Sequence, residues 1–230
     1  MSGIALAAAS LSSAGPVLVV VLGVLLLGWY ALGNELMRRR ARRLALWCRQ
    51  AAEPAGGTLA IRWLTNSAFQ IEIRDPKPPF QSGSLTGLTE SLDVAPIWLW
   101  HRLRGRRDMI LLQLTLRRRP IWGLEIYRPR SLLAGDARHR AREERWQDEP
   151  LDEFRLASAG GAMPQELARR LLAILSAQRQ DLVRLAIRRQ GTHLSLGLNL
   201  PDPGRLRPAA FYQLACDLAQ ETLSFATPAG

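Results

Sequence analysis

The chain has 230 residues, a formal net charge of +11 and a pI of about 11.2. Such basicity predicts attraction to anionic lipid or nucleic acid. The two cysteines, Cys48 and Cys216, form no CxxC motif, and none of the three histidines has a second ligand at metal-binding spacing. This pattern argues against a zinc site, and no metal is expected.

The N-terminal region contains a long apolar stretch from Ser13 to Gly33, and the first charged residue of the chain is Glu35. About 20 apolar residues form a helix about 30 Å long, which matches the hydrocarbon core of a bilayer. We therefore expect one transmembrane helix that contacts the membrane through residues 14–33. A cleaved signal peptide is disfavoured because no basic residue precedes the stretch and arginines, rather than a small-residue cleavage site, follow it.

Five arginines follow the apolar stretch directly. Because positive residues remain on the cytoplasmic side of a membrane, the N-terminus is predicted to face outward. The chain from about residue 36 onward is then predicted to be cytoplasmic. Residues 34–52 should continue the helix, with an apolar stripe formed by Leu36, Leu44, Trp47 and Ala51. Pro54 and the glycines that follow it should end the helix.

The basic part of this helix is the first candidate site. Five arginines within two turns project in nearly all directions, so anionic head groups could approach from every side. Leu44 and Trp47 would then allow the helix to bend and lie along the membrane interface. The predicted lipid-contacting residues are Arg38, Arg39, Arg40, Arg42, Arg43 and Trp47. The alternative is that these arginines only set the topology.

The first half of the remaining chain is predicted to contain two hairpins. The predicted strands span residues 58–65, 69–74, 108–116 and 121–127, and the last two are expected to pair. Residues 75–93 are rich in proline and glycine and are predicted to form a long loop. Residues 94–107 fit a short helix or a strand equally well. Residues 130–150 carry mixed charge and predict an exposed helix or a mobile connector.

The last third shows the clearest periodicity. We expect a strand over 153–158 and a helix over 164–178 that begins at Pro164. Residues 181–189 and 193–200 predict a hairpin with one buried face and a turn at Gln190-Gly191. A final helix is expected from about 208 to 225.

This order of elements predicts an α+β fold. It would consist of one N-terminal transmembrane helix and a mainly antiparallel sheet with two or three packed helices. The chain is divided into a tail and transmembrane helix over 1–35, a basic juxtamembrane helix and linker over 36–54, and a cytoplasmic α+β domain over 55–230.

No catalytic motif accompanies this fold. Residues 82–87, SGSLTG, lack the strand-to-helix setting of a nucleophile elbow, and residues 157–167 lack the lysine of a phosphate loop. We expect no enzyme activity and no cofactor. An enzyme with an unrecognised site near the 75–93 loop remains an alternative.

Nucleic-acid binding is the other alternative. Trp98, Trp100 and His101 lie beside Arg102, Arg104, Arg106 and Arg107, and Arg117 to Arg119 follow. Arginines with aromatic residues bind single strands. No recognition motif is present, so core tryptophans with a basic surface that faces a membrane or a partner are favoured.

From FRLAS through the helix 164–178 to LVRLAIRR and HLSLGLNL, the order of elements, together with the anchor, resembles that of uncharacterised bacterial single-pass membrane proteins with a cytoplasmic α+β domain. The resemblance implies a location in the bacterial inner membrane and carries over no site residues. The expected role is that of a membrane-anchored interaction or scaffold domain, an accessory subunit of a membrane-associated assembly.

Overall fold

The computed structural model describes residues 3–90, 103, 107–131, 133–200 and 206–225, with the side chains of 3–14 left out. The segment 94–107, predicted as helix or strand, therefore lies outside the described residues apart from Leu103 and Arg107, and so does most of the arginine and tryptophan cluster considered for nucleic acid.

The described residues form an α+β fold, as predicted. The helices are α1 (Gly3–Ala52), α2 (Ala134–Glu143), α3 (Ala162–Ile174) and α4 (Pro208–Ser224). The strands are β1 (Thr58–Thr65), β2 (Ala68–Arg74), β3 (Phe80–Leu88), β4 (Met109–Leu116), β5 (Leu124–Tyr127), β6 (Gln147–Leu151), β7 (Phe154–Ser158), β8 (Leu182–Ile187) and β9 (Leu194–Asn199). They form one sheet in the order β1-β2-β3-β4-β9-β8-β5-β7-β6, in which every pair is antiparallel.

Helix α1 is continuous over 50 residues and has two different environments. Its apolar part is exposed all round: Val17 is 63% and Leu27 is 71% exposed. By length and composition this is the one helix among the described residues that could cross a membrane. The part from Met37 onward is a core helix of the domain, because Ala41 and Cys48 are completely buried. It packs against α4, β2 and β3.

The main core lies between the sheet and the helices α1, α3 and α4. Strands β2, β4, β8 and β9 contribute alternate apolar residues to it, and α4 contributes Phe211, Leu214 and Leu218. On the other side of the sheet, α2 covers β5 and β7 with alanines that pack around Tyr127. Strands β8 and β9 are therefore buried on both faces, whereas the sequence predicted one buried face for this hairpin.

Two further sequence predictions are wrong. Residues 75–93 are not a loop throughout, because Phe80–Leu88 forms β3 in the centre of the first half of the sheet. Its glycines make room for neighbours: a Cβ at Gly87 would overlap the ring of Phe69. Second, β5 does not pair with β4; it lies between β7 and β8. The charged segment 130–150 contains an exposed helix, α2, which was one of the two predicted alternatives, and also an edge strand, β6, which was not predicted.

The other hairpins agree with the sequence. Strands β1 and β2 form the predicted hairpin, with its turn at Asn66-Ser67. Strands β8 and β9 pair around the predicted turn, in which Gly191 has a φ of 70° that favours glycine. Helix α4 begins at Pro208, as expected, and α3 begins two residues before Pro164.

Candidate functional site

Strand β1 runs beside α1 in the opposite direction, and this arrangement positions the candidate site. After α1 ends at Ala52, a short 3-10 turn and two glycines with positive φ, Gly56 and Gly57, reverse the chain. Twelve helical residues back from Ala52 cover about 18 Å, and six strand residues forward from Thr58 cover about 20 Å. The tip of the β1–β2 hairpin consequently lies level with the arginines of α1.

A groove of about 430 Å³ separates this hairpin tip from α1. Two of its lining residues lie one turn apart on α1, and four belong to the end of β1 and the hairpin turn. They are Arg38, Arg42, Trp63, Leu64, Thr65 and Asn66. Arg38 and Arg42 are four residues apart, so they lie on the same side of the helix. Neither arginine forms a salt bridge with a carboxylate of the residues that the structure describes, although Glu35, which is bonded to Arg39, attracts both at longer range.

The hairpin wall of the groove is held in place by its neighbours. The Trp63 ring is 48% exposed and packs against the buried Phe69 ring, with the two centroids 5.6 Å apart. In the turn, the Ser67 N–H donates to Thr65 Oγ1 at 3.2 Å. The Thr89 N–H and hydroxyl both donate to the Ser67 carbonyl, at 2.7 and 2.9 Å. The tip is therefore tied to the end of β3.

The five predicted arginines do not share one environment. All are exposed, but only Arg38 and Arg42 line the groove. Arg39 donates to Glu35 Oε1 at 2.7 Å, so part of its charge is already neutralised. Arg40 and Arg43 are exposed outside the groove. The expected arrangement around the whole helix is also wrong, because the side that contains Ala41 and Ala45 is covered by the domain.

Trp47 is not placed for lipid contact. Its side chain is 8% exposed, its ring packs against Phe211 with centroids 5.5 Å apart, and its Nε1–H donates to the Leu206 carbonyl at 2.9 Å. Leu44 is buried in the same core. These contacts hold α1 against α4, and the predicted bend of the helix onto the membrane interface is not observed.

A second charged feature lies on the other side of the sheet. Glu125 of β5 and Arg184 of β8 form an ion pair in which the side chains are 1% and 6% exposed. Burial raises the pKa of the Glu125 carboxyl, and the nearby Arg184, Arg188 and Arg140 oppose that rise. A buried pair of this kind leaves a costly unpaired charge when one partner is removed. It is not adjacent to the groove, and no cavity opens onto it among the pockets of the described residues.

The other basic and histidine residues are dispersed. Arg117, Arg118 and Arg119 follow the end of β4 that is paired with Phe80. The opposite end of β4 pairs with Leu88, beside the hairpin tip, so these arginines are about 25 Å from the groove. His193 is 6% exposed, and its Nδ1 accepts from the Leu116 N–H at 3.0 Å. Burial lowers the pKa of His193. Among the described residues, no three His, Cys, Asp or Glu side chains form a metal-binding group.

The sequence identified the arginines of α1 but missed the hairpin tip. Trp63, Leu64 and Asn66 belong to a predicted strand and turn, and only the reversal of the chain at Gly56 and Gly57 brings them to α1. The available signal was the number of residues between these glycines and each of the two features. Because a strand residue spans about twice the length of a helical residue, the six or seven residues of β1 cover the same distance as the helix from Ala52 back to Arg38.

A scan of the chain against protein-family models gave no match, and a search of curated proteins gave no match either. The functional argument therefore rests on the geometry of the chain itself.

Proposed function

We propose that this protein is a membrane-anchored interaction domain, an accessory subunit of a membrane-associated assembly in the bacterial inner membrane. The exposed apolar part of α1 is the anchor, the N-terminus faces outward and the sheet domain is cytoplasmic. The arginines from Arg38 to Arg43 support this orientation because they lie directly after the anchor. Since α1 is continuous, the domain is held at a fixed distance from the membrane.

The observation that carries the proposal is the difference between the two edges of the sheet. Among the described residues, strand β1 has a strand neighbour on one side only. It has eight residues, no proline and one charge, Arg62, and its apolar Ile61 and Trp63 are 42% and 48% exposed. An exposed edge of this kind is a template for an added strand. Leu59, Ile61 and Trp63 share the face of the core residues Ile73, Ile71 and Phe69, so a partner would extend the existing core.

Strand β6, at the other edge, is protected. It has five residues that include Asp148, Glu149 and Pro150. Asp148 accepts hydrogen bonds from the Tyr127 hydroxyl and from Arg155 Nε, both at 2.8 Å, and the Gln165 amide donates to Glu149 at 2.6 Å. Proline and charge are the usual means of preventing strand addition. Of the two sheet edges that the described residues form, β1 alone therefore has the properties of a docking edge.

Site-specific photocrosslinking in cells tests the proposed docking edge. A photoreactive residue replaces Arg62 on β1 in the full-length protein, and the matched control replaces the exposed Gln147 on β6. We expect a discrete adduct of higher mass from position 62 and none from position 147. Adding Ile61→Lys should abolish the adduct because it places a charge on the edge. Equal adducts from both positions, or no adduct from position 62, would contradict the proposal.

The orientation has its own test. Reporters that are active only in the periplasm or only in the cytoplasm are fused after Gly230. The cytoplasmic reporter should be active and the periplasmic reporter inactive. Activity of the periplasmic reporter would overturn the orientation while leaving the β1 edge to be judged by crosslinking.

A further inference from the structure

The groove between α1 and the hairpin tip lies at a defined height along the helix. Arg38 is five residues beyond Gly33, where the apolar stretch ends, which is about 7.5 Å along the axis. Each head-group layer of a bilayer is about 5–8 Å thick. Side chains on a helix tilt toward its N-terminus, and in the proposed orientation that direction is toward the membrane. The Arg38 guanidinium then lies within the phosphate layer.

Arg42 is one turn farther along α1 and lines the same groove. Its side chain also tilts toward the membrane, so its guanidinium reaches about the level of the Arg38 Cα. The two guanidiniums face one space from adjacent turns. Planar, multiply donating guanidiniums suit a phosphate oxygen better than an ammonium does. Neither forms a salt bridge with a carboxylate of the described residues, and Glu35, which attracts both at longer range, is itself bonded to Arg39. The groove therefore keeps a net positive charge.

The opposite wall complements a lipid rather than a free ion. Trp63 and Leu64 are 48% and 47% exposed and present apolar surface beside the two arginines. Tryptophan is favoured in the interfacial, head-group region of a membrane because it is apolar with one polar atom. Asn66 and Thr65 add polar atoms at the end of the groove. Because β1 runs toward the membrane, Thr65 and Asn66 lie nearer the bilayer than Trp63 and Leu64. A phosphate bound by the arginines would therefore have the outer, head-group glycerol against Trp63 and Leu64, and its acyl chains would leave past Thr65 and Asn66 into the bilayer.

We propose that this groove binds the phosphodiester head group of one anionic phospholipid, with Arg38 and Arg42 as the phosphate ligands and Trp63 as the apolar wall. Arg39, Arg40 and Arg43 act as a diffuse positive belt and do not contribute to this site. This proposal rests on the membrane-anchored orientation proposed above, which places the groove beside the lipid head groups. It does not depend on a protein partner at β1. It gives the hairpin tip a fixed contact with the membrane surface.

Native mass spectrometry of the full-length protein released from detergent micelles tests the site. The probes are phosphatidylglycerol, phosphatidylcholine and soluble glycerol 3-phosphate. We expect one phosphatidylglycerol to be retained at least about tenfold more tightly than phosphatidylcholine, because two charge-assisted contacts favour a net negative head group. Glycerol 3-phosphate should not displace it at equal concentration, because it lacks the acyl chains that hold a phospholipid in the micelle beside α1.

The matched variants are Arg38→Gln with Arg42→Gln, and Arg40→Gln with Arg43→Gln. Both pairs remove two exposed charges from the same part of α1. The first pair should weaken phosphatidylglycerol retention at least about tenfold, and the second should change it less than about twofold. Trp63→Ala should weaken retention, whereas Trp63→Phe should preserve most of it. Thermal unfolding by circular dichroism confirms that each variant is folded.

Three results would overturn the proposal. Equal losses in the two double variants would show diffuse attraction without a site. Displacement by glycerol 3-phosphate at equal concentration would assign the groove to a free phosphate anion, and equal retention of phosphatidylcholine would remove the selectivity for anionic lipid. Because the measurement in micelles is independent of orientation and of any protein partner, its failure would leave the crosslinking and reporter results unaffected.

Discussion

The two parts of α1 are one continuous helix with opposite surfaces. From Val17 to Leu32 the large apolar side chains are between 39% and 71% exposed, and they surround the helix. From Met37 to Ala52 a single side is buried, with Ala41 and Cys48 fully covered, while the arginines occupy the exposed side. A helix that is apolar all round suits lipid, and a helix with one apolar side suits a water-exposed domain. The same element thus has one part that is apolar and long enough to cross a membrane and one part that packs as a core helix of the domain.

The largest expected effect comes from a charge on the buried side of the second part. Ala41→Arg places a guanidinium where the side chain is 0% exposed, so it must bury an unpaired charge or displace α4. We expect a loss of about 3–5 kcal/mol in the free energy of unfolding of the domain. Chemical denaturation of the full-length protein in detergent, followed by circular dichroism, measures this loss. Leu46→Arg is the control, because Leu46 is 60% exposed, and equal losses in the two variants would refute the packing of α1.

A cavity on the same side should have a smaller effect. Leu44 is 3% exposed within the main core. Leu44→Ala should lower the free energy of unfolding by about 2–5 kcal/mol, since it removes buried methyl groups and leaves a void. The matched control is Leu36→Ala, on a side chain that is 44% exposed. If both substitutions lower the free energy of unfolding by the same amount, Leu44 is not a core residue.

Trp47 distinguishes core packing from lipid contact. Trp47→Phe keeps an aromatic ring against Phe211 but removes the donor to the Leu206 carbonyl. The loss of this buried hydrogen bond should lower the free energy of unfolding by about 1–3 kcal/mol. Trp63→Phe, on a half-exposed ring without such a bond, should have little effect on the same measurement. A stability of Trp47→Phe that equals wild type would favour the original expectation of lipid contact.

The smallest effect is expected from a change in the exposed part of α1. One alanine inserted between Leu26 and Leu27 rotates the preceding helix by about 100° relative to the domain. Because the side chains around the insertion are exposed on all sides, the free energy of unfolding of the domain should change by less than about 0.5 kcal/mol. The same insertion between Ala45 and Leu46 would displace the buried side and should destabilise the domain strongly. Similar thermal shifts for the two insertions would contradict the division of α1 into two parts.

Local patterns were sufficient for the hairpins and the helices. The β1–β2 and β8–β9 pairs join strands separated by short polar turns, so their register depends on neighbouring residues. The continuation of α1 to Ala52 followed from the stripe that contains Leu44, Trp47 and Ala51, and its end followed from Pro54 and two glycines. In each case the determining interactions lie within a few residues of one another.

Long-range contacts decided the remaining pairings. Strand β3 reads as a loop because of Gly83 and Gly87, but these glycines accommodate Leu114 and Phe69 from neighbouring strands. Strand β5 follows β4 in the chain and yet pairs with β7 and β8. The alternation of apolar residues within one strand does not indicate which other strand, 30 or 60 residues away, will pair with it.

The sequence alone determined that α1 has an apolar part long enough to cross a membrane, that a basic segment follows it, and that the remainder folds as α+β. These properties depend on composition and periodicity along one element. Only the tertiary structure decided that Trp47 is a core residue and that Arg38 and Arg42, rather than their neighbours, face the Trp63 hairpin tip. The reason is that the five arginines are chemically identical and differ only in the side of α1 on which they lie. Which side faces the hairpin depends on how β1 and β2 pack against the helix.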